Sequence, residues 1–232
     1  MNPIIIAAAA GVVILIAVFA VAAGGRRAKA LNAFLSANGF APCEDSKSDI
    51  GILAADLEQT DESSRFTIKN PATATHCDKE IYYYIKQREI KGDINESGPS
   101  EFGEFLFPFD RKSDLPVILY MVPLSAPEAL IKKLIGPMVA VADRFDHKRI
   151  AKIALPRELQ TSKIIAAYGP PGASIYDLIS ASEMSLILTA ADRGAFVFLA
   201  NKDTAAVDFF PGFAKIDINA LWQQILQLAD YR

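Results

Sequence analysis

The pattern of hydrophobic and polar positions divides the chain near residue 25. Residues 2–25 contain no charged side chain, and most positions hold isoleucine, valine, leucine or alanine. A helix over this stretch would be about 36 Å long, which is enough to cross a hydrocarbon core of about 30 Å. We therefore predict a transmembrane anchor at residues 1–25, with residues 3–25 in contact with the lipid bilayer.

Two other interpretations are compatible with such an apolar stretch. A cleaved signal peptide is one, because Ala20-Val21-Ala22 has the small-x-small form of a cleavage site. Against it, no lysine or arginine precedes the stretch, and the hydrophobic region of a signal peptide is normally about 7–15 residues long. A buried core helix is the other, although such helices are seldom apolar on every face.

A juxtamembrane helix is predicted at residues 26–40, directly after the anchor. Apolar residues recur there at helical spacing, and Asn38-Gly39-Phe40 is typical of a helix end. Glycine adopts the left-handed conformation without strain, which lets Phe40 fold back onto the last turn.

The next part, residues 41–124, is dominated by strand patterns after an acidic stretch at residues 44–64. Runs of β-branched, aromatic and aliphatic residues predict strands there. The predicted strands are Arg65–Lys69, Glu80–Lys91, Glu101–Phe109 and Pro116–Leu124. The last run is apolar without alternation, which is typical of a central strand covered on both faces.

Residues 125–232 combine helix and strand signals and form the second predicted part. A serine–glutamate capping box at residues 125–128 starts a helix. Further predictions are strands at Ile150–Leu155 and Ser162–Tyr168, a rigid turn at 169–172, a short helix at 174–180 and a hairpin of 185–189 with 195–199. A helix starting near Asp217 ends the chain, with Trp222 on its apolar stripe.

These elements predict an α+β fold: an N-terminal transmembrane helix followed by a mixed, mostly antiparallel sheet domain with packed helices. The succession of two helix-and-strand sections also suggests two similar α+β halves divided near residue 125. No residue-level repeat supports a duplication, so a single sheet with helices packed on one side is an equal alternative.

The charged residues limit the kinds of partner that the protein can bind, and they predict the compartment of the domain. The chain has 27 acidic and 24 basic residues and a net charge of −3, which argues against general nucleic-acid binding. Arg26, Arg27 and Lys29 follow the predicted anchor, and only the α-amino group precedes it. The positive-inside rule therefore places the N-terminus outside and the domain in the cytoplasm. A domain on the outer face is the alternative.

The cysteines and histidines do not form a recognisable metal or redox motif. Cys43 and Cys77 are the two cysteines, and a bridge between them is an option in an oxidising compartment. His76 lies beside Cys77 and Asp78, but a metal site needs three or four ligands, and no C-x-x-C or H-E-x-x-H pattern is present. We predict a loop histidine, no metal and no cofactor.

Motifs for calcium, phosphate and acyl-transfer chemistry are rejected on their spacing. The stretch of residues 45–51 puts Lys47 at the third position of an EF-hand loop, and its glycine comes one residue late. Residues 169–172 contain two prolines that remove amide donors, and no Gly-Lys-Ser/Thr follows. No catalytic residue is assigned, although carboxylate pairs formed in space are invisible in a sequence.

Candidate contact residues lie near the two ends of the chain: Phe209, Phe210, Phe213, Arg26, Arg27 and Lys29. The three phenylalanines gather at a turn, and if exposed they would form a patch for a partner or a membrane. A turn folded onto the core is the favoured alternative. The three basic residues would lie at the level of anionic lipid headgroups.

The final section, residues 162–232, contains a strand, a short helix, a predicted hairpin and a helix in succession. The characteristic segments are Lys163–Gly169, Asp177-Leu178-Ile179 and the hairpin at 185–199. Together with the basic-flanked span, this series resembles bacterial single-pass membrane proteins of uncharacterised function. The resemblance covers about a third of the chain and implies a bacterial inner (plasma) membrane protein. It implies no catalytic residue.

Two functional hypotheses follow from these patterns. The leading one is a membrane-tethered, non-enzymatic domain that binds an unknown protein partner in an adaptor or assembly role. The alternative is an enzyme or small-ligand sensor whose site is assembled from scattered polar residues such as His76, Asp78, Tyr82 and Glu101.

Overall fold

The chain forms two compact units, Met1–Phe40 and Ala41–Arg232. The computed structural model describes residues 29–59, 66–88, 100–111, 113–123, 149–160, 164–192, 194, 196–209 and 217–230. The predicted anchor at residues 1–25 and the helix predicted from residue 125 lie outside the described residues. Among the helices within the described ranges, none is long and apolar enough to span a membrane.

The first unit contains helix α1, which covers residues 29–37. It ends in a Schellman motif: Gly39 has a φ of +75°, and the amide of Phe40 donates to the carbonyl oxygen of Leu35 at 2.9 Å. The centroid of the Phe40 ring lies 6.4 Å from that of Phe34. The predicted helix end, with Phe40 folded back onto the last turn, is therefore confirmed.

The second unit is built on one sheet of nine described strands. They are β1 (Ala41–Pro42), β2 (Phe66–His76), β3 (Lys79–Arg88), β4 (Ser100–Pro108), β5 (Val117–Met121), β6 (Ala151–Lys152), β7 (Ile164–Gly169), β8 (Phe196–Asn201) and β9 (Thr204–Phe209). The order across the sheet is β1-β2-β3-β4-β9-β8-β5-β7-β6, and each described pairing is antiparallel. Strands β9 and β8 from the second predicted part thus lie between β4 and β5 from the first.

Helices within this unit cover the sheet. They are α2 (Lys47–Glu58, after a 3-10 turn at Glu44–Ser46), α3 (Arg157–Gln160), α4 (Ile175–Leu178), α5 (Ala181–Ala191) and α6 (Ile218–Ala229). Helix α2 buries Ile50, Ala54 and Leu57, which recur at helical spacing. They join a core cluster that includes Tyr84 of β3 and Leu106 of β4. We call this side of the sheet face A.

The opposite side, face B, carries an aromatic core. The ring centroid of Phe105 on β4 lies 5.7 Å from that of Phe209 on β9 and 5.6 Å from that of Trp222 on α6. Gly103 pairs with Phe209 in the register, and a Cβ at Gly103 would lie 2.6 Å from Cζ of Phe209. A side chain at position 103 would therefore force the Phe209 ring to move.

Most strand predictions are confirmed. β3, β4, β5 and β7 coincide with the predicted runs to within a few residues, and all five residues of β5 are buried. Strand β2 is longer than predicted because it continues through Asn70-Pro71 to His76. The register shifts between Lys69 and Ala72, so that a bulge accommodates a proline that cannot donate to the ladder.

The predicted hairpin of 185–189 with 195–199 is wrong. Residues 181–191 form α5, and β8 pairs instead with β9. The apolar run at residues 186–188 is compatible with a strand or a helix, so its pattern alone does not decide. The deciding signal is a capping box, in which the Ser180 hydroxyl accepts from the amide of Glu183 and the Glu183 carboxylate accepts from the amide of Ser180.

Candidate functional site

A buried ion cluster lies on face A, where α2 meets the sheet. Lys86 of β3 is completely buried, and its Nζ lies 2.8 Å from Oε1 of Glu58 and 2.9 Å from Oδ2 of Asp208. It also forms an ion pair with Glu104, whose other carboxylate oxygen accepts a hydrogen bond from the Tyr84 hydroxyl. One ammonium group therefore serves three buried carboxyl groups.

The antiparallel register assembles this cluster from separate elements. Glu104 lies directly opposite Tyr84 on β3 and opposite Asp208 on β9. Lys86 follows Tyr84 by two positions, so both side chains point to the same face of the sheet. Glu58 is the last residue of α2 and is buried against that face.

Burial has the largest effect on the pKa values of Glu104 and Tyr84 in this cluster. Desolvation raises the pKa of Glu104 to about 7 against the lowering effect of Lys86, and the carboxyl groups of Asp208 and Glu58 raise it further. Desolvation and the neighbouring Glu104 also raise the pKa of Tyr84 well above its ordinary value. The Tyr84 hydroxyl therefore stays protonated and acts as a hydrogen-bond donor.

The same three carboxyl groups have the spacing of a cation site. One oxygen from each of Glu58, Glu104 and Asp208 lies within 4.8 Å of the others. Because Nζ of Lys86 forms an ion pair with each of them, the ammonium group of the protein occupies the position that a metal ion would take. The arrangement is that of an internal counter-ion site, which ties α2, β3, β4 and β9 together.

The raised pKa of Glu104 predicts a pH-dependent stability. Its native pKa of about 7 lies above the ordinary 4.5, so the native state holds a proton that the unfolded state releases. The contribution of Glu104 to stability is then fully present below pH 4.5 and is lost as the pH rises towards about 7. Unfolding of the full chain by denaturant at several pH values should show this decline.

Two substitutions on β4 test whether Glu104 causes this pH dependence. Glu104→Gln removes the titratable carboxyl group and keeps one acceptor oxygen, so its stability should lack the decline. Glu101→Gln, at an exposed position of β4, should keep it. Identical pH profiles for Glu104→Gln and the unaltered chain would contradict the assignment.

The solvent-facing side of α2 is apolar at its centre. Ile52 is 66% exposed and Leu53 is 38% exposed. Asp49 and Asp56 lie within one turn on either side of them and are also exposed. We call these four residues the α2 outer face. Grouped exposed aliphatic side chains with a polar border are typical of contact surfaces.

The predicted contact residues have different positions in the structure. Phe209 ends β9 and is 5% exposed, with its ring against Phe105 and Tyr83. It belongs to the core of face B and contributes no exposed patch. Lys29 is exposed in α1. The other four predicted contact residues lie outside the described residues: Phe210, Phe213, Arg26 and Arg27.

The scattered polar residues of the alternative hypothesis do not converge. Tyr82 donates a hydrogen bond to Glu80 on its own strand, and Glu101 pairs with Lys69 at 3.3 Å. Glu101 lies opposite Gln87, five positions along β3 from Tyr82, a distance of about 17 Å. Tyr82 and Glu101 are therefore too far apart to act on one small ligand.

The structure brings His76 to a residue that the sequence patterns did not indicate. Its Nε2 lies 2.9 Å from Oδ2 of Asp230, at the end of α6, and 3.6 Å from Sγ of Cys77. Cys43 and Cys77 are both free, and Cys77 is exposed. No local signal connects positions 76 and 230, because their proximity depends on the tertiary fold.

Comparison with known proteins identifies no family for this chain. No protein-family model matches the sequence, and no curated protein matches it. Among solved structures, the mycobacterial trehalose monomycolate transport factor A is similar at a TM-score of 0.45 and 12% sequence identity. That alignment covers 89% of this chain and 92% of the other. Similarity at this level gives no evidence of what the present chain binds.

Proposed function

We propose that this protein is a membrane-tethered, non-enzymatic domain that binds a protein partner through the α2 outer face. The observation that carries the proposal is the exposure of Ile52, at 66%, beside Leu53 at the centre of that face. Burying two such side chains against a partner would release apolar surface from water and favour association.

The charged residues of the same segment indicate the chemistry of the partner. Asp49 borders the apolar centre and Asp45 lies exposed in the turn before it, whereas Asp56 pairs with Lys202 at 3.7 Å and Glu44 pairs with Lys47 at 3.9 Å. Lys47 is the exposed cation of this segment. A partner with an apolar groove rimmed by lysine or arginine would complement this surface and gain in rate of association and specificity.

The sequence supports attachment of the domain to a membrane. The uncharged residues 2–25 and the basic residues after them favour an inner-membrane anchor with the domain in the cytoplasm. A domain held at the membrane by one short span meets membrane-bound partners at a raised effective concentration. This suits an adaptor or assembly role.

One experiment on the full chain tests tether and partner binding together. In membranes solubilised with a mild detergent, we expect the chain in a complex larger than its own detergent-bound mass. Ile52→Asp should reduce the complexed fraction at least about tenfold, because it places a charge in an apolar contact. The variant should still sediment with the membranes before solubilisation. Gel filtration with immunoblotting measures both properties.

The control places the same charge on another exposed helical position. Ser185→Asp in α5 should leave the complex intact, since Ser185 is exposed on a different helix. Equal loss of the complex in both variants would contradict the α2 outer face as the contact. A complex that contains this chain alone would contradict a separate partner.

A further inference from the structure

Three potential metal ligands meet where the β2–β3 hairpin reaches the end of α6. One ligand atom each from His76, Cys77 and Asp230 lies within 4.8 Å of the others. Nε2 of His76 is 3.6 Å from Sγ of Cys77 and 2.9 Å from Oδ2 of Asp230. The His76 side chain is 30% exposed and that of Asp230 is 45% exposed, so solvent and ions reach the cluster.

These spacings approach those of a tetrahedral zinc site. Bond lengths of about 2.0–2.1 Å to nitrogen or oxygen and about 2.3 Å to sulfur give edges of about 3.6 Å between nitrogen and sulfur and about 3.3 Å between nitrogen and oxygen. The nitrogen–sulfur distance already matches. The nitrogen–oxygen distance is that of a hydrogen bond and needs to open by about 0.4 Å, a small movement for exposed side chains.

Three elements hold the ligands in place. His76 ends β2, and Cys77 with Asp78 forms the two-residue turn, with φ values of 48° and 62°. Positive φ at both positions is typical of a type I′ hairpin, whose backbone sets the direction of the Cα–Cβ bond of Cys77. Asp230 caps the C-terminus of α6, and the helix dipole favours a cation at that end.

A separate contact keeps the hairpin against the helix. The Lys79 ammonium, at the start of β3, donates to the carbonyl oxygen of Ala229. The approach of the two elements therefore does not depend on the cluster itself.

We propose that His76, Cys77 and Asp230 bind one divalent transition-metal ion of the zinc type, with the fourth coordination position open to solvent. The mixture of imidazole, thiolate and carboxylate suits Zn²⁺ better than Mg²⁺ or Ca²⁺, which prefer oxygen ligands. The bound ion would link residues 76–77 to residue 230 and so join the hairpin to the last helix. This site is independent of the α2 outer face.

Cobalt titration of the full chain in detergent tests the site, because Co²⁺ replaces Zn²⁺ and a thiolate–cobalt bond gives a near-ultraviolet charge-transfer band. We expect that band to saturate at one Co²⁺ per chain and to disappear on addition of Zn²⁺. Cys77→Ser should abolish the band, and Asp230→Asn should weaken Co²⁺ binding at least about tenfold. Zn²⁺ should raise the melting temperature of the unaltered chain and leave that of Cys77→Ser unchanged.

Two variants distinguish this site from unspecific binding. Cys43→Ser removes the other, half-buried cysteine and should keep the band. Asp78→Asn alters a carboxylate in the same turn and should bind Co²⁺ as the unaltered chain does. The proposal is overturned by the absence of a saturable band, by loss of the band in Cys43→Ser, or by a loss in Asp78→Asn equal to that in Asp230→Asn.

Discussion

Lys86→Met is expected to destabilise the domain by about 3–5 kcal/mol, because it leaves buried carboxylates without their counter-ion. Lys86 is completely buried and forms ion pairs with Glu58, Glu104 and Asp208. Methionine fills a similar volume, so the loss measures charge balance more than packing. Denaturant unfolding of the full chain in detergent, followed by the fluorescence of the single tryptophan, gives the free energy of unfolding.

A second lysine offers a matched control. Lys69 on β2 pairs with Glu101 at 3.3 Å, but both side chains are about half exposed. Lys69→Met should cost no more than about 1 kcal/mol, as is usual for surface ion pairs. Equal effects of the two substitutions would contradict the counter-ion role of Lys86.

Trp222→Ala is expected to cost about 3–5 kcal/mol through the cavity it leaves on face B. Trp222 is 5% exposed and packs on Phe105, which in turn stacks on Phe209. Helix α6 would lose its largest buried side chain against the sheet. Thermal and denaturant unfolding followed by circular dichroism measures the effect, since the variant lacks tryptophan.

The neighbouring residue on α6 provides the comparison. Gln223 is exposed, and Gln223→Ala should change the stability by no more than about 0.5 kcal/mol. A loss for Trp222→Ala within that range would show that α6 is not held by the aromatic core.

Strands and helices with a strong local pattern could be predicted from the sequence. The continuous apolar run of β5 identifies a strand buried on both faces, and the apolar stripe around Trp222 identifies α6. Both signals are local, because each depends on the spacing of neighbouring residues. The end of α1 at Gly39-Phe40 was predictable for the same reason, since a Schellman motif spans only six residues.

Prediction from local patterns failed where a pattern does not distinguish a helix from a strand or is not typical of either. Residues 185–189 are apolar enough for a strand, and the capping box of Ser180 and Glu183 is the local signal that favours a helix. Helix α2 lies in the acidic stretch at residues 44–64, where exposed Ile52 and Leu53 obscure the helical period of its buried residues. Strand β9 was not predicted, because its alanines and aspartate do not have the composition of a typical strand.

The clusters of polar side chains could not be predicted, because they are formed by tertiary contacts. Glu58, Lys86, Glu104 and Asp208 come from four different elements. A partial signal existed: Lys86 and Glu104 lie on the same alternation as Tyr84 and Leu106, so charges occupy positions that the strand pattern assigns to the core. His76 and Asp230 are separated by 154 positions, and no local pattern joins them.

Site-specific photo-crosslinking tests the central claim most directly. A photoreactive amino acid replaces Ile52 in the full chain, and Ser185 in the control chain, and intact cells are illuminated. Partner binding through the α2 outer face predicts a discrete adduct with another protein from position 52 and none from position 185. The same adducts from both positions, or none from position 52 in membranes that contain the chain, would contradict it.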